Sequence, residues 1–136
     1  MITKKLKQLG ILVFIIMTSV DAFSEGIQSK TVIDWLNMVD DGKYAESWDV
    51  AAPFFKAQVS KEQWLQGLKQ ARTPLGKVVT RDIESSDIHS VLPGAPEGEY
   101  IVVVLKASFE KMPSATETVT LKKDDDRWRI VGYYIK

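Results

Sequence analysis

The chain has 136 residues, with 18 basic and 18 acidic side chains, one histidine and no cysteine. That balance argues against nucleic-acid binding, which calls for a basic face and a high pI. The missing thiols exclude disulfides, a thiolate nucleophile, a cysteine-type zinc centre and the lipid-bearing cysteine of a lipoprotein.

The first ten residues carry Lys4, Lys5 and Lys7 and no acid, and an unbroken apolar run from Ile11 to Met17 continues through Thr18, Ser19 and Val20. Asp21 closes that run after about ten residues, half of what a membrane-spanning helix needs and the length of a signal-peptide core. Val20 and Ala22 suit cleavage after Ala22, while Ala22 and Ser24 suit cleavage after Ser24, the boundary we adopt. Residues 1–24 are therefore expected to be a cleaved signal peptide, residues 25–30 a flexible arm and residues 31–136 a single domain. The product would be periplasmic or secreted, with no membrane attachment after cleavage. Without the leader, 15 basic and 17 acidic residues remain, a net charge of −2. About 112 residues are enough for one hydrophobic core and not for two.

The first half of this domain reads as helices. From Thr31 to Asp40, the residues Val32, Trp35, Leu36 and Val39 fall at i, i+3, i+4 and i+7, with Thr31 and Asp34 spaced as a capping box and Gly42 as the stop. Lys43 to Ala51 repeats the pattern with Tyr44, Trp48 and Ala51. Pro53 suits the first turn of a short segment carrying Phe54 and Phe55, a contiguous pair that could form an exposed docking ridge. Ser60 and Gln63 again have capping-box spacing. The helix behind them presents Trp64, Leu65, Leu68 and Ala71 on one side and ends at Thr73-Pro74-Leu75-Gly76.

From Lys77 onward the period changes to two and β-branched residues dominate. Four strands are expected, at 77–90, 99–110, 116–123 and 127–135, with turns at Pro93 to Gly98 and at Asp124-Asp125-Asp126. The second and fourth are apolar on both faces, which predicts central or covered positions. Val79 and Ile83 share one face of the first strand but Ile88 falls on the other, so a bulge near Ser85 and Ser86 is needed to restore the phase. Helices ahead of an antiparallel meander give an α+β fold: three to four N-terminal helices packed on a curved four-stranded sheet.

The string Trp35-Leu36-x-x-Val39-Asp40-x-Gly42-x-Tyr44-x-x-Ser47-Trp48-x-x-Ala51-Ala52, followed by Phe54-Phe55, Val59-Ser60, Trp64, Pro74-Leu75-Gly76 and Arg81, resembles the bacterial domain of unknown function 4019 family. The likeness continues through Leu92-Pro93-Gly94-Ala95-Pro96-x-Gly98-x-Tyr100, Glu117 to Leu121, and Trp128-Arg129-x-x-Gly132-Tyr133. It implies an exported cone-shaped domain of the nuclear-transport-factor-2-like or cystatin-like kind. No activity comes with it, and fold alone does not assign one.

Candidate chemistry is sparse. The single imidazole, His89, cannot supply a histidine zinc centre, and no nucleophile turn is visible for a triad. Asp124-Asp125-Asp126 lacks the alternating oxygens, glycine and terminal glutamate of a calcium loop, so no metal or cofactor is expected. Arg81 and Glu117 are in phase with apolar residues of their strands. They read either as a structural ion pair or as a guanidinium at the mouth of a pocket that receives an anion. Tyr44 and Trp48 share a helix face, which makes Tyr44, Trp48, Arg81 and Glu117 the candidate ligand-binding set. The expected function is a non-enzymatic periplasmic binding or protein-interaction module, taking a small ligand or a protein partner, with a homodimer left open. The alternative is a small isomerase- or dehydratase-like enzyme using Asp40 or Glu117 as general base and Tyr44 as hydrogen-bond donor.

Overall fold

Gly42 terminates the first helix of the domain through the backbone conformation that only glycine adopts without cost. Its φ is 75°, its N–H reaches the Val39 carbonyl at 3.1 Å, and the N–H of Lys43 reaches that of Met38 at 2.9 Å. These are the paired closing bonds of a Schellman stop. The structure is a computed structural model and describes residues 26–136, so the expected signal peptide and both cleavage sites lie outside the described residues. Thr31 opens the second of two units, a compact one that runs to Lys136. Residues 26–30, which the sequence suggested as an arm, are helical. Thr31 thus has helical residues ahead of it and is not the N-cap that its spacing to Asp34 suggested.

Within the second unit, helix α1 covers residues 31–40, followed by α2 (Tyr44–Asp49), α3 (Pro53–Gln58) and α4 (Lys61–Arg72). Pro53 occupies the first turn of α3, where its missing N–H costs nothing. The capping box of α4 is complete. Ser60 Oγ accepts from the Gln63 N–H, and the Gln63 side chain accepts from the Ser60 N–H. A single 3₁₀ turn, Thr73–Leu75, leads to Gly76.

Four antiparallel strands follow in the order β1 (Val78–His89), β2 (Tyr100–Phe109), β3 (Met112–Asp124) and β4 (Arg127–Ile135). The phase break in β1 is a register shift between Ile83 and Ser85, one residue ahead of the expected place, and it sets Ile88 opposite Ile101 as required. A second shift leaves Val79 as the extra residue between Val78 and Thr80, so Val79 is exposed rather than in line with Arg81. Asp125 and Asp126 both have positive φ, which makes the β3–β4 connection the two-residue hairpin turn that short polar side chains tolerate. β3 starts at Met112, four residues earlier than expected. Pro113 is accepted there because it lies where the β2–β3 register slips, between the Ala107–Ala115 and Phe109–Met112 pairs, and a bulge is one of the places where a strand takes a proline. β4 is an edge strand, so of the central or covered place that its two apolar faces suggested only the cover is found: Ile130 is buried and Trp128, Val131 and Tyr133 are half-buried, while Tyr134 is 58 % exposed.

The core gathers Val32, Trp35, Leu36 and Val39 of α1 and Leu68 of α4 against Ile101, Val103, Leu105, Val119, Leu121 and Ile130 of the sheet. Ser47, fully buried, ties the tryptophans into it. Its carbonyl accepts from the Trp35 indole at 3.0 Å and its hydroxyl oxygen accepts from the Trp64 indole at 2.9 Å. Phe55 packs edge-on against Trp64 at 5.0 Å and is 7 % exposed. Phe54 and Phe55 therefore do not form the exposed ridge that their adjacency suggested. Among the described residues no helix is long and apolar enough to cross a membrane.

Candidate functional site

The charged residues that the sequence placed on apolar faces meet at one end of the core. Asp40 stands on the last turn of α1, where a carboxylate faces the negative end of the helix dipole and needs cations nearby. Arg72 ends α4 and supplies one, with Nη2 2.7 Å from Asp40 Oδ1. Arg81 of β1 supplies the other, with Nη1 donating to Asp40 Oδ2 at 2.6 Å and Nη2 to Oδ1 at 3.0 Å. The second edge of the same guanidinium is taken by Glu117 of β3, with Nε to Oε1 at 2.6 Å and Nη2 to Oε2 at 3.2 Å. The phenol of Tyr133 on β4 donates to Glu117 Oε2 at 2.5 Å.

The local sequence makes this reach feasible. Arg81 pairs with Ala107, and Ala107 pairs with Ala115. Two methyl side chains thus lie where larger ones would block a guanidinium crossing β2 toward Glu117. Glu117 is fully buried, Arg81 is 8 % exposed and Asp40 13 %, so each charge depends on its partners.

The electrostatics follow from those contacts. Burial alone would raise the Asp40 carboxyl, but the hydrogen bonds and charges of Arg81 and Arg72 outweigh it and hold the group below its ordinary 3.8. Burial works against the charged form of Arg81, yet the hydrogen bonds to Asp40 and Glu117 and their charges keep the proton on more firmly than in water. Burial, followed by the charge of Glu117 and the hydrogen bond to it, raises the Tyr133 phenol far above its usual value. A carboxylate lowered in this way is a poor general base, because acid–base chemistry near neutrality needs a group raised toward 7.

Beside the cluster opens a cavity of about 530 Å³, lined by Val39, Asp40, Tyr44, Arg72, Lys77 and Glu110 among others. Its far wall is fastened. Glu110 Oε1 accepts from the Lys77 N–H at 2.7 Å, the Glu110 N–H reaches the Lys77 carbonyl and the Lys111 N–H that of Leu75. Gly76, with φ of 73°, lets the chain pass where a Cβ would sit 3.1 Å from that of Glu110.

Of the residues singled out in the sequence, Arg81 and Glu117 are brought together and Tyr44 lines the adjacent cavity. Trp48 does not join them. Its indole donates to the Val59 carbonyl at 2.8 Å, and the ammonium groups of Lys56 and Lys61 lie 5.5 and 5.7 Å from its ring centre. Its polar tip is therefore not available as its place beside Tyr44 suggested. Sequence reasoning missed Arg72 and Tyr133. The signal for Arg72 was present, since it lies four residues after Leu68 and seven after Leu65, on the apolar face of α4. His89 is exposed at the end of β1. Among the described residues no group of three or more histidine, aspartate or glutamate side chains is placed to hold a metal ion.

A model of the family described as Protein of unknown function (DUF4019) matches residues 31–133. No curated protein matches the chain.

Proposed function

The chain belongs to the DUF4019 family, and from that premise we propose that it is an exported, non-enzymatic binding module whose ligand site is the cavity beside Asp40, Arg72 and Lys77. The observation that carries this reading is the use made of the buried acids. Asp40 and Glu117 are saturated by two guanidiniums and a phenol, which leaves neither free to abstract a proton from anything in the cavity. A cavity of about 530 Å³ is of ordinary ligand size.

The basic and apolar N-terminal segment supports a periplasmic or secreted destination, with Ser24 as the last residue removed. The full chain, expressed in a bacterial host and recovered from the periplasmic fraction, tests both parts. Its intact mass is expected to begin at Glu25, and its native mass spectrum to show a retained small molecule. A full-length mass would contradict export with cleavage. A native mass with neither ligand nor protein partner would contradict the binding reading.

A further inference from the structure

We infer that two copies of this chain pair antiparallel through the free edge of β1, with the twofold axis at Ser86. Among the described residues no strand pairs with that edge, which runs for 12 residues from Val78 to His89. An open edge is a row of unpaired backbone donors and acceptors, and sheets guard such edges with proline, lysine or a covering helix. β1 contains neither proline nor lysine. It presents apolar side chains instead. Ile83 and Ile88 lie on the core-facing side, opposite Leu105 and Ile101, and are 38 % and 80 % exposed. A second strand laid along β1 covers both.

The register follows from the two faces of the strand. Ile83, Ser86 and Ile88 are in phase with the core, whereas Asp82, Ser85, Asp87 and His89 are on the other face, because Glu84 is the extra residue at the register shift. Pairing must set like face against like face. With Ser86 opposite its own copy, Ser85 faces Asp87 of the second copy. Beyond the bulged Glu84, Ile83 then faces Ile88 and Asp82 faces His89. Each of these pairs occurs twice, as a twofold interface requires.

Charge agrees with this register. Asp82 against His89 is an ion pair with the imidazolium and a hydrogen bond with the neutral ring. No two carboxylates stand directly opposite, and Glu84 is drawn back toward Lys106 of its own β2, 3.6 Å away. An axis at Asp87 would set that carboxylate against itself, and one at Ile88 would shorten the ladder and leave Ile83 uncovered. The other edge does not close in the same way. β4 and the residue after it bring Arg127, Arg129 and Lys136 and no acid, so two copies of it would gather like charges. No residue from Asp82 to His89 lines the cavity beside Asp40, so dimerisation and the binding proposed above stand or fall separately.

Size-exclusion chromatography with light scattering, on the protein recovered from the periplasmic fraction, tests the pairing over a dilution series. The mass is expected to move from two protomers toward one on dilution. Ile88→Lys, at an exposed position, introduces the charge that guards natural edges. It is expected to raise the dissociation constant tenfold or more while the folded monomer keeps its circular dichroism spectrum. The chain has no cysteine, so single introduced thiols report the register. Directly opposed residues of an antiparallel pair have Cα atoms about 4.5–5.5 Å apart, a span that a disulfide bridges. Ser86→Cys is expected to give a disulfide-linked dimer on oxidation, whereas Asp82→Cys links only when mixed with His89→Cys. A single-protomer mass at the highest soluble concentration overturns the proposal. So does a dimer in which Ser86→Cys stays unlinked, or a series of masses beyond two protomers, which an open β1-to-β4 chain would give.

Discussion

Replacing Arg81 with methionine removes the one side chain that both buried carboxylates share. Asp40 keeps Arg72, but Glu117, fully buried, is left with the Tyr133 hydroxyl alone. Breaking a buried pair by deleting one partner costs about 3–5 kcal/mol, because the surviving charge stays desolvated. A domain of this size has about 5–15 kcal/mol in total. At roughly 4 °C per kcal/mol for about a hundred residues, the thermal midpoint should fall by about 12–20 °C. The double variant Arg81→Met with Glu117→Leu removes both charges and should recover most of the loss, since an apolar pair in place of a buried ion pair is often neutral. Urea unfolding of the wild type, the single and the double variant measures all three. The reasoning is refuted if the single variant loses less than about 1 kcal/mol, the value of a solvated surface pair, or if the double variant is no more stable than the single.

The pH dependence of stability should show two edges. The lowered carboxyl of Asp40 means that the unfolded chain binds its proton first. The stability it contributes is present above its unfolded value near 3.8 and is lost as pH falls further. The raised phenol of Tyr133 acts in the opposite range. Its contribution is present below its unfolded value of 10.0 and is lost as pH rises beyond it, so Tyr133→Phe should flatten the alkaline limb of the unfolding midpoint measured against pH. Ser47→Ala deletes the oxygen that accepts from the Trp64 indole inside the core. It should cost about 1–3 kcal/mol and change the tryptophan emission, which fluorescence-detected denaturation reads directly. Ser60→Ala breaks one half of the α4 capping box and should cost about 1 kcal/mol, seen as a lower urea midpoint with an unchanged slope.

Periodicity carried most of the fold. The stop at Gly42, the capping box at Ser60, the four strands and the bulge in β1 were all readable because each depends on local spacing. What spacing does not contain is the order of neighbours in space. Two apolar faces on β4 read as a central or covered strand, and the meander leaves it covered on its inner face but at an edge. Ile88 recovered its inward phase but is 80 % exposed, since inward phase secures cover only where a helix lies above it. The ion pair of Arg81 with Glu117 was legible from two charges on apolar faces. That Arg81 also serves Asp40, and that Arg72 closes the cluster, depends on α1 and α4 ending side by side. No one-dimensional pattern records that.

The native mass spectrum of the protein recovered from the periplasmic fraction tests the central claim most directly. The expected result is a species heavier than the chain beginning at Glu25 by one small molecule, released on denaturation. A bare mass with no partner bound would contradict it.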